Sequence, residues 1–260
     1  MGTNIRYEVA DRVATITIDR PERKGAMTYA ILGDFIETVG HASSDPDAHV
    51  VILTGTPGSF CAGTDLSDLA TVPGEQRGLR GTADQGHRWW PLLACSKPTI
   101  CAIDGAAVGM GAEFTSQCDL RLASTRARFA WNFVHRGLVP DTGAGTWLLP
   151  RLIGVQHAFR LLYSGEFLPA DEAKAIGYVL DVVEPDQLAG AAQDLARRLL
   201  AGSPFSQTRI KTLVYQALAG EVSEHLGRHT TAMAECFRSD DHREGVASFL
   251  ERRPANFTGR

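Results

Sequence analysis

The chain has 260 residues, 44% hydrophobic and 22% charged. That is the ordinary mixture of a folded globular protein and excludes a disordered or collagen-like chain. The length allows one large domain, or one with a smaller appendage, and suffices for a core without metal or disulfide staples. Twenty-six Lys and Arg against 30 Asp and Glu leave a net charge of −4 with no long block of one sign, so nothing marks a nucleic-acid footprint. The five cysteines, Cys61, Cys95, Cys101, Cys118 and Cys236, are scattered without a Cys-x-x-Cys pair, which argues against a disulfide framework or a zinc ribbon. No apolar stretch approaches the 20 or so residues of a membrane span, and Met1 to Arg6 carries no charged-then-apolar leader pattern. A cytoplasmic protein without a membrane partner is expected.

In chain order, Ile5 to Val9 and Val13 to Ile18 flank the polar pair Asp11-Arg12, a hairpin signal closed by Pro21. Ile31, Leu32, Phe35, Ile36 and Val39 recur at helical spacing, and Val50 to Leu53 then reads as a buried strand. A second such run is Thr99 to Ile103. Each run leads into a glycine-bearing loop and then a plausible helix, Gly55 to Asp65 after the first and Gly105 to Gly111 after the second. That repetition predicts parallel α/β units. Gly137 to Gly143 is a loop punctuated by Pro and Gly, and from about Pro185 onward the pattern turns almost wholly helical. Candidate helices are Leu188 to Leu200, Ile210 to Leu218, Glu221 to Phe237 and Glu244 to Leu250. The expected organisation is an α/β core over residues 1–185 and a helical segment over 186–260.

Several chemistries fail on their own residue requirements. Gly109-Met110-Gly111 follows a strand, but Phe114 stands where a dinucleotide fingerprint needs its third small residue. There is no phosphate-binding Gly-x-x-x-x-Gly-Lys loop and no Gly-x-Ser-x-Gly elbow. His225 and His229 have metal-ligand spacing on a helix, yet no glutamate base lies between them and no third ligand is apparent, so a solvated face is the better reading and no metal is expected. What remains is the pair of glycine loops, Phe60 to Asp65 and Ala106 to Glu113. Loops that follow strands and open helices can aim two unpaired backbone N–H groups at one oxygen. Such an oxyanion hole acts most strongly where a carbonyl gains charge, as a thioester does on becoming an enolate. The plainer reading is that these glycines only shape turns.

The segments Pro21 to Met27, Phe60 to Leu66, Gly105 to Glu113 with Cys118-Asp119, Gly137 to Asp141, Leu149 to Gly154 and Ser248 to Pro254, in this order, resemble the enoyl-CoA hydratase/isomerase (crotonase) family. The resemblance covers nearly the whole chain. It implies an α/β fold in the form of a spiral of β-β-α units, with a helical C-terminal segment that serves trimerisation and pocket closure. It further implies a homotrimer or hexamer, an acyl-CoA thioester as substrate, and no cofactor beyond the coenzyme A of that substrate. The oxyanion donors would be the Thr64 and Met110 amides. Lys24, Ala26, Ala62 and Asp65 would line the coenzyme A end, with Gly25 in place of a common asparagine, and Arg23, Arg252 and Arg253 would offer phosphate charge or solvated surface.

Hydration needs a water activated on one side and a proton delivered to the α-carbon, usually by two carboxylates. Glu113 matches the first family glutamate, while the place of the second falls on Phe133. Asp141 occupies the position at which isomerase-like relatives carry their acid, which tilts the expectation from hydration toward isomerisation. Taken alone, Asp141 reads as a turn residue and Glu113 as a first-turn helix acid. Trp131, Phe133 and His135 are assigned to the acyl pocket, with a structural hydrogen bond as the alternative for His135. Trp89, Trp90 and Trp147 complete a candidate aromatic lining. A non-catalytic acyl-CoA-binding protein and a hydrolytic or ring-cleaving enzyme on the same scaffold are the alternative functions.

Overall fold

The computed structural model describes residues 4–65 and 90–260. The hairpin forms as β1 (Ile5–Ala10) and β2 (Val13–Ile18), antiparallel with Ala10 opposite Val13. Asp11 and Arg12 both take positive φ, 49° and 63°, the twist that a two-residue hairpin turn requires. After α1 (Tyr29–Ser44), capped by the Thr28 hydroxyl, come β3 (Val50–Gly55) and β4 (Ser59–Cys61). A short α2 (Pro91–Ala94) precedes β5 (Thr99–Ile103), β6 (Ala106–Val108) and α3 (Met110–Gln117). Then follow β7 (Leu120–Ser124) and β8 (Arg128–Ala130).

These strands make two sheets, β1-β2-β3-β5-β7-β10 and β4-β6-β8-β9, closed by β9 (Leu168–Pro169) and β10 (Asp181–Val183). From β2 to β10 the large sheet is parallel. Each turn of the chain leaves one strand in the large sheet and the next in the small one, so the molecule winds as a spiral. The short strands β4 and β6 lie inside segments that the sequence reads as glycine loops. Three residues each are too few to show a period, and only pairing with their neighbours makes them strands.

The unbroken apolar runs are explained by burial on both sheet faces. Val50, Ile52, Ile100, Ala102 and Leu122 face Leu188, Ala192, Leu195 and Ala196 of a C-terminal helix. Val51, Leu53, Cys101 and Ile103 face the other core, with Phe35 of α1 and Phe114 of α3, whose rings lie 4.7 Å apart. One carboxylate ties the spiral's corners together. Asp104, between β5 and β6, accepts from the Gly58 N–H (2.6 Å) on the turn before and from Ser124 (2.7 Å) and Arg126 (2.7 and 2.6 Å) on the turn after. Burial alone would raise its pKa, but these donors prevail and hold it at about 2.

Between β8 and β9 lie α4 (Ala144–Trp147), α5 (Leu149–Ile153) and α6 (Val155–Ser164), and α7 (Ala170–Ala175) precedes β10. The C-terminal part is α8 (Leu188–Leu200), α9 (Pro204–Ala217), α10 (Val222–Arg238) and α11 (Asp240–Glu251). Helix α9 begins six residues before the apolar spacing starts, because Ser203 caps it and Pro204 fits its first turn. Its buried Lys211 reaches Asp119 (3.0 Å) just past α3, and Tyr215 donates to the same carboxylate (2.9 Å). Among the described residues no helix is long and apolar enough to cross a membrane.

Candidate active site

The two glycine loops meet at the backbone. Met27 holds the first loop through both of its main-chain groups, donating to the Gly63 carbonyl and accepting from the Asp65 N–H, each at 2.8 Å. This is a parallel bridge between Met27 and Thr64. Its geometry turns the Thr64 N–H to the opposite side. The second loop ends in α3, whose cap Gly109 has no side chain, so among the described residues no side chain caps the helix start, which the Met110 amide opens. Gly63 has φ +94°, and a β-carbon there would lie 2.7 Å from the Val108 carbonyl and 3.5 Å from the Met110 nitrogen. Only glycine lets the loops come this close. At Gly111 a β-carbon would meet the Cys61 carbonyl at 2.2 Å, so the start of α3 lies directly on the first loop. Thr64 and Met110 are thus brought side by side.

Glu113 sits one turn into α3, fully buried. Its Oε2 accepts a 2.6 Å hydrogen bond from Thr142. Its Oε1 has no hydrogen-bond partner among the described residues and lies over Gly145, where a β-carbon would come within 2.4 Å of it. Burial pushes its pKa up to about 7, against the pull of Thr142 and the nearby Gly145 amide and with a further push from Asp141. Asp141 keeps solvent contact, yet the protein around it raises its carboxyl to about 6. Its charge acts on Glu113 and on Cys61. Two carboxyls, both pushed above the ordinary carboxylate range, therefore act in one region, which suits them to exchange protons near neutral pH.

Helix α3 is fixed from behind. Arg121 donates to the Thr115 (3.1 Å) and Cys118 (2.6 Å) carbonyls at its C-terminus, where a cation complements the helix dipole. The Tyr178 hydroxyl meets Thr115 at 2.6 Å and Ser116 at 3.0 Å.

The remaining sequence candidates divide. Phe133 is buried beside the Met110 loop, its ring 3.8 Å from where a Gly109 β-carbon would sit. Trp131 is wholly buried between Gly145 and Tyr178. Trp90 donates to the Thr142 carbonyl (2.6 Å) and packs on Trp147, ring centroids 5.3 Å apart, so this half-buried pair flanks the acid loop. Trp89 lies outside the described residues. His135 departs from its expected place in the acyl pocket: its exposed ring donates from Nε2 to the Ser164 carbonyl (2.8 Å), a structural bond that joins it to the end of α6.

Lys24, Ala26 and Ala62 gather beside Thr64, with the Ala62 N–H bonded to the Lys24 carbonyl (3.0 Å). The Asp65 carboxylate is turned inward onto Arg20 (2.9 Å), which also donates to the Ala26 carbonyl (2.8 Å). Asp65 therefore braces the loop instead of presenting its charge to a ligand. Arg253 is likewise engaged, by Glu244 (2.5 and 2.8 Å) and Glu251 (2.5 Å). His225 and His229 lie 6.2 Å apart as tilted rings, and no metal-binding cluster forms among the described residues. Sequence reading missed Thr142, Gly145 and Arg20. Thr142 falls inside the Gly137 to Gly143 loop, Gly145 carries no signal of its own, and nothing in the sequence pairs Arg20 with Asp65, 45 positions away.

The sequence model of the enoyl-CoA hydratase/isomerase family matches residues 8–260. The chain belongs to that family. It is 33% identical over 254 residues to a short-chain-enoyl-CoA hydratase of Clostridium acetobutylicum, covering 96% of this chain and 95% of the relative. It is 34% identical over 259 residues to a 1,2-epoxyphenylacetyl-CoA isomerase of Escherichia coli, covering 98% of each. The crystal structure of an enoyl-CoA hydratase from Bacillus anthracis superposes with a TM-score of 0.92 at 28% identity, over 99% of this chain and 100% of that one. The spiral is thus the crotonase fold, and the protein is an acyl-CoA enzyme of the enoyl-CoA hydratase/isomerase type.

Proposed function

We propose that this family member shifts a double bond in an acyl-CoA thioester from the 3- to the 2-position. The observation that carries the reading is the carboxyl pair itself: the Asp141 charge acts on Glu113, and burial raises both carboxyls toward neutrality, while the apolar Phe133 occupies the place of a hydratase's second glutamate. In the reaction one carboxylate takes the α-proton of the 3-enoyl thioester. The C–H electron pair moves into the thioester, whose oxygen becomes an enolate held by the Thr64 and Met110 N–H groups. The conjugated enolate then collapses as the protonated partner delivers a proton to the γ-carbon, leaving the 2-enoyl product and the pair with its single proton restored. Lys24, Ala26 and Ala62 border the coenzyme A end of the substrate. Phe249 and Leu250 of α11 are 82% and 74% exposed, which favours self-association as a trimer or hexamer.

A paired assay tests this reading. Each of a straight-chain 2-enoyl-CoA and its 3-enoyl isomer is supplied, the conjugated-thioester absorbance is followed, and products are identified by mass. The chromophore is expected to appear from the 3-enoyl ester without a change in mass. Its loss from the 2-enoyl ester with addition of water would replace isomerisation with hydration, and silence with both esters despite tight binding would reduce the protein to an acyl-CoA-binding module.

A further inference from the structure

We infer that Thr142 is a positioning residue that leaves Glu113 one working oxygen, Oε1, for proton exchange with substrate. This deepens the isomerase reading and rests on its assignment of Glu113 as a proton carrier. A threonine hydroxyl has one proton to donate and lone pairs to accept with. In Thr142 the lone-pair side receives the Ala144 N–H at 3.2 Å, and the hydroxyl proton goes to Glu113 Oε2 at 2.6 Å. Among the described residues the hydroxyl has no other acceptor to turn to. A proton placed on Oε2 would therefore turn the Thr142 hydroxyl from donor to acceptor and leave its O–H proton buried without a partner, which is unfavourable. The proton belongs on Oε1, which is buried, has no hydrogen-bond partner among the described residues and lies against the Cα of Gly145.

Thr142 itself is held. Its carbonyl accepts the Trp90 indole N–H (2.6 Å), and the Gly143 N–H is bonded back to the Pro140 carbonyl (3.2 Å). The turn that carries Asp141 thus also fixes the orientation of Glu113. Asp141 is the titratable neighbour that acts on Glu113; Trp131, Pro140, Gly145 and Ala144, which also surround it, are neutral.

The test is a pH titration of the Glu113 carboxyl by infrared difference spectroscopy on the full chain without substrate, its band assigned by disappearance in Glu113→Gln. In Thr142→Val the ionised form loses its donor, and the midpoint is expected to rise by about one pH unit, a roughly tenfold higher proton affinity. Thr142→Ala, which removes the same hydroxyl with less crowding, should shift in the same direction if the valine variant does not fold. Thr142→Ser should titrate within a few tenths of a unit of the unaltered protein. An unshifted Thr142→Val or Thr142→Ala, or a serine variant displaced as far as these, would overturn the inference. Turnover by Glu113→Gln reports separately on the isomerase reading: full activity there would end Glu113's catalytic assignment and leave the infrared result standing.

Discussion

Asp104 and Glu113 are both buried carboxyls, nine residues apart in the same stretch of chain, and the same burial has opposite outcomes. Asp104 receives four short hydrogen bonds, two from a guanidinium, and is held ionised with a pKa of about 2. Glu113 receives one hydroxyl bond on one oxygen and is pushed up to about 7. Desolvation raises both, and the number and charge of the donors decide which side wins. The corner of the spiral uses its carboxylate to fasten turns together, whereas the site leaves its carboxyl short of donors and able to move a proton.

The largest effect that would sharpen this contrast is on turnover. Glu113→Gln is expected to lose on the order of 10³-fold in kcat, with binding of a substrate-like CoA ester changed only a few-fold; steady-state kinetics beside a binding titration check it. Next comes the oxyanion donor. Proline is tolerated at the first position of a helix, so Met110→Pro removes the N–H while keeping α3, and about 10²-fold or more of kcat should go with it. A thermal melt checks that the variant folds.

The stability of the two carboxyl regions should respond oppositely to pH. Asp104 has its folded pKa below the unfolded one, so its contribution is present above about pH 4 and disappears as pH falls toward 2. Asp104→Asn should cost about 1–2 kcal/mol at pH 7, a difference that closes in that acid window. Glu113 has its folded pKa above the unfolded one, so ionising it destabilises the fold increasingly from about pH 4.5 to 7. Glu113→Gln should therefore be more stable than the unaltered protein above pH 7, by up to about 3 kcal/mol, and equal to it below pH 4. Urea melts across this range would show the two variants diverging in opposite senses. The smallest effect is steric. A methyl in Gly145→Ala would have to displace Oε1 from 2.4 Å, and roughly tenfold lower kcat is expected with little change in KM.

Much of this was legible in the sequence, for identifiable reasons. The hairpin at Asp11-Arg12, the doubly buried runs at Val50 and Thr99 and the helices from Leu188 onward follow from hydrophobic period and turn chemistry. Glu113, Asp141, Thr64 and Met110 came from ordered motifs together with a family resemblance, and the backbone contact between Gly63 and the Met110 loop gives their neighbourhood a physical basis. The small sheet was not legible, because β4 and β6 are three residues long and exist only through long-range pairing. Nor was the side-chain wiring. That Asp65 turns inward depends on Arg20, that His135 turns to Ser164 depends on the end of α6, and that Glu113 presents Oε1 depends on Thr142, all partners set by the spiral and not by local sequence.

Hydrogen exchange at carbon tests most directly the claim that Glu113 and Asp141 handle the protons of a thioester enolate held between Thr64 and Met110. An acyl-CoA would be incubated with the protein in D2O, and deuterium at the α-carbon followed by mass spectrometry and NMR. The unaltered protein is predicted to wash deuterium into that position, and both Glu113→Gln and Asp141→Asn to do so at least about 10²-fold more slowly. Exchange that survives both substitutions undiminished would contradict the account.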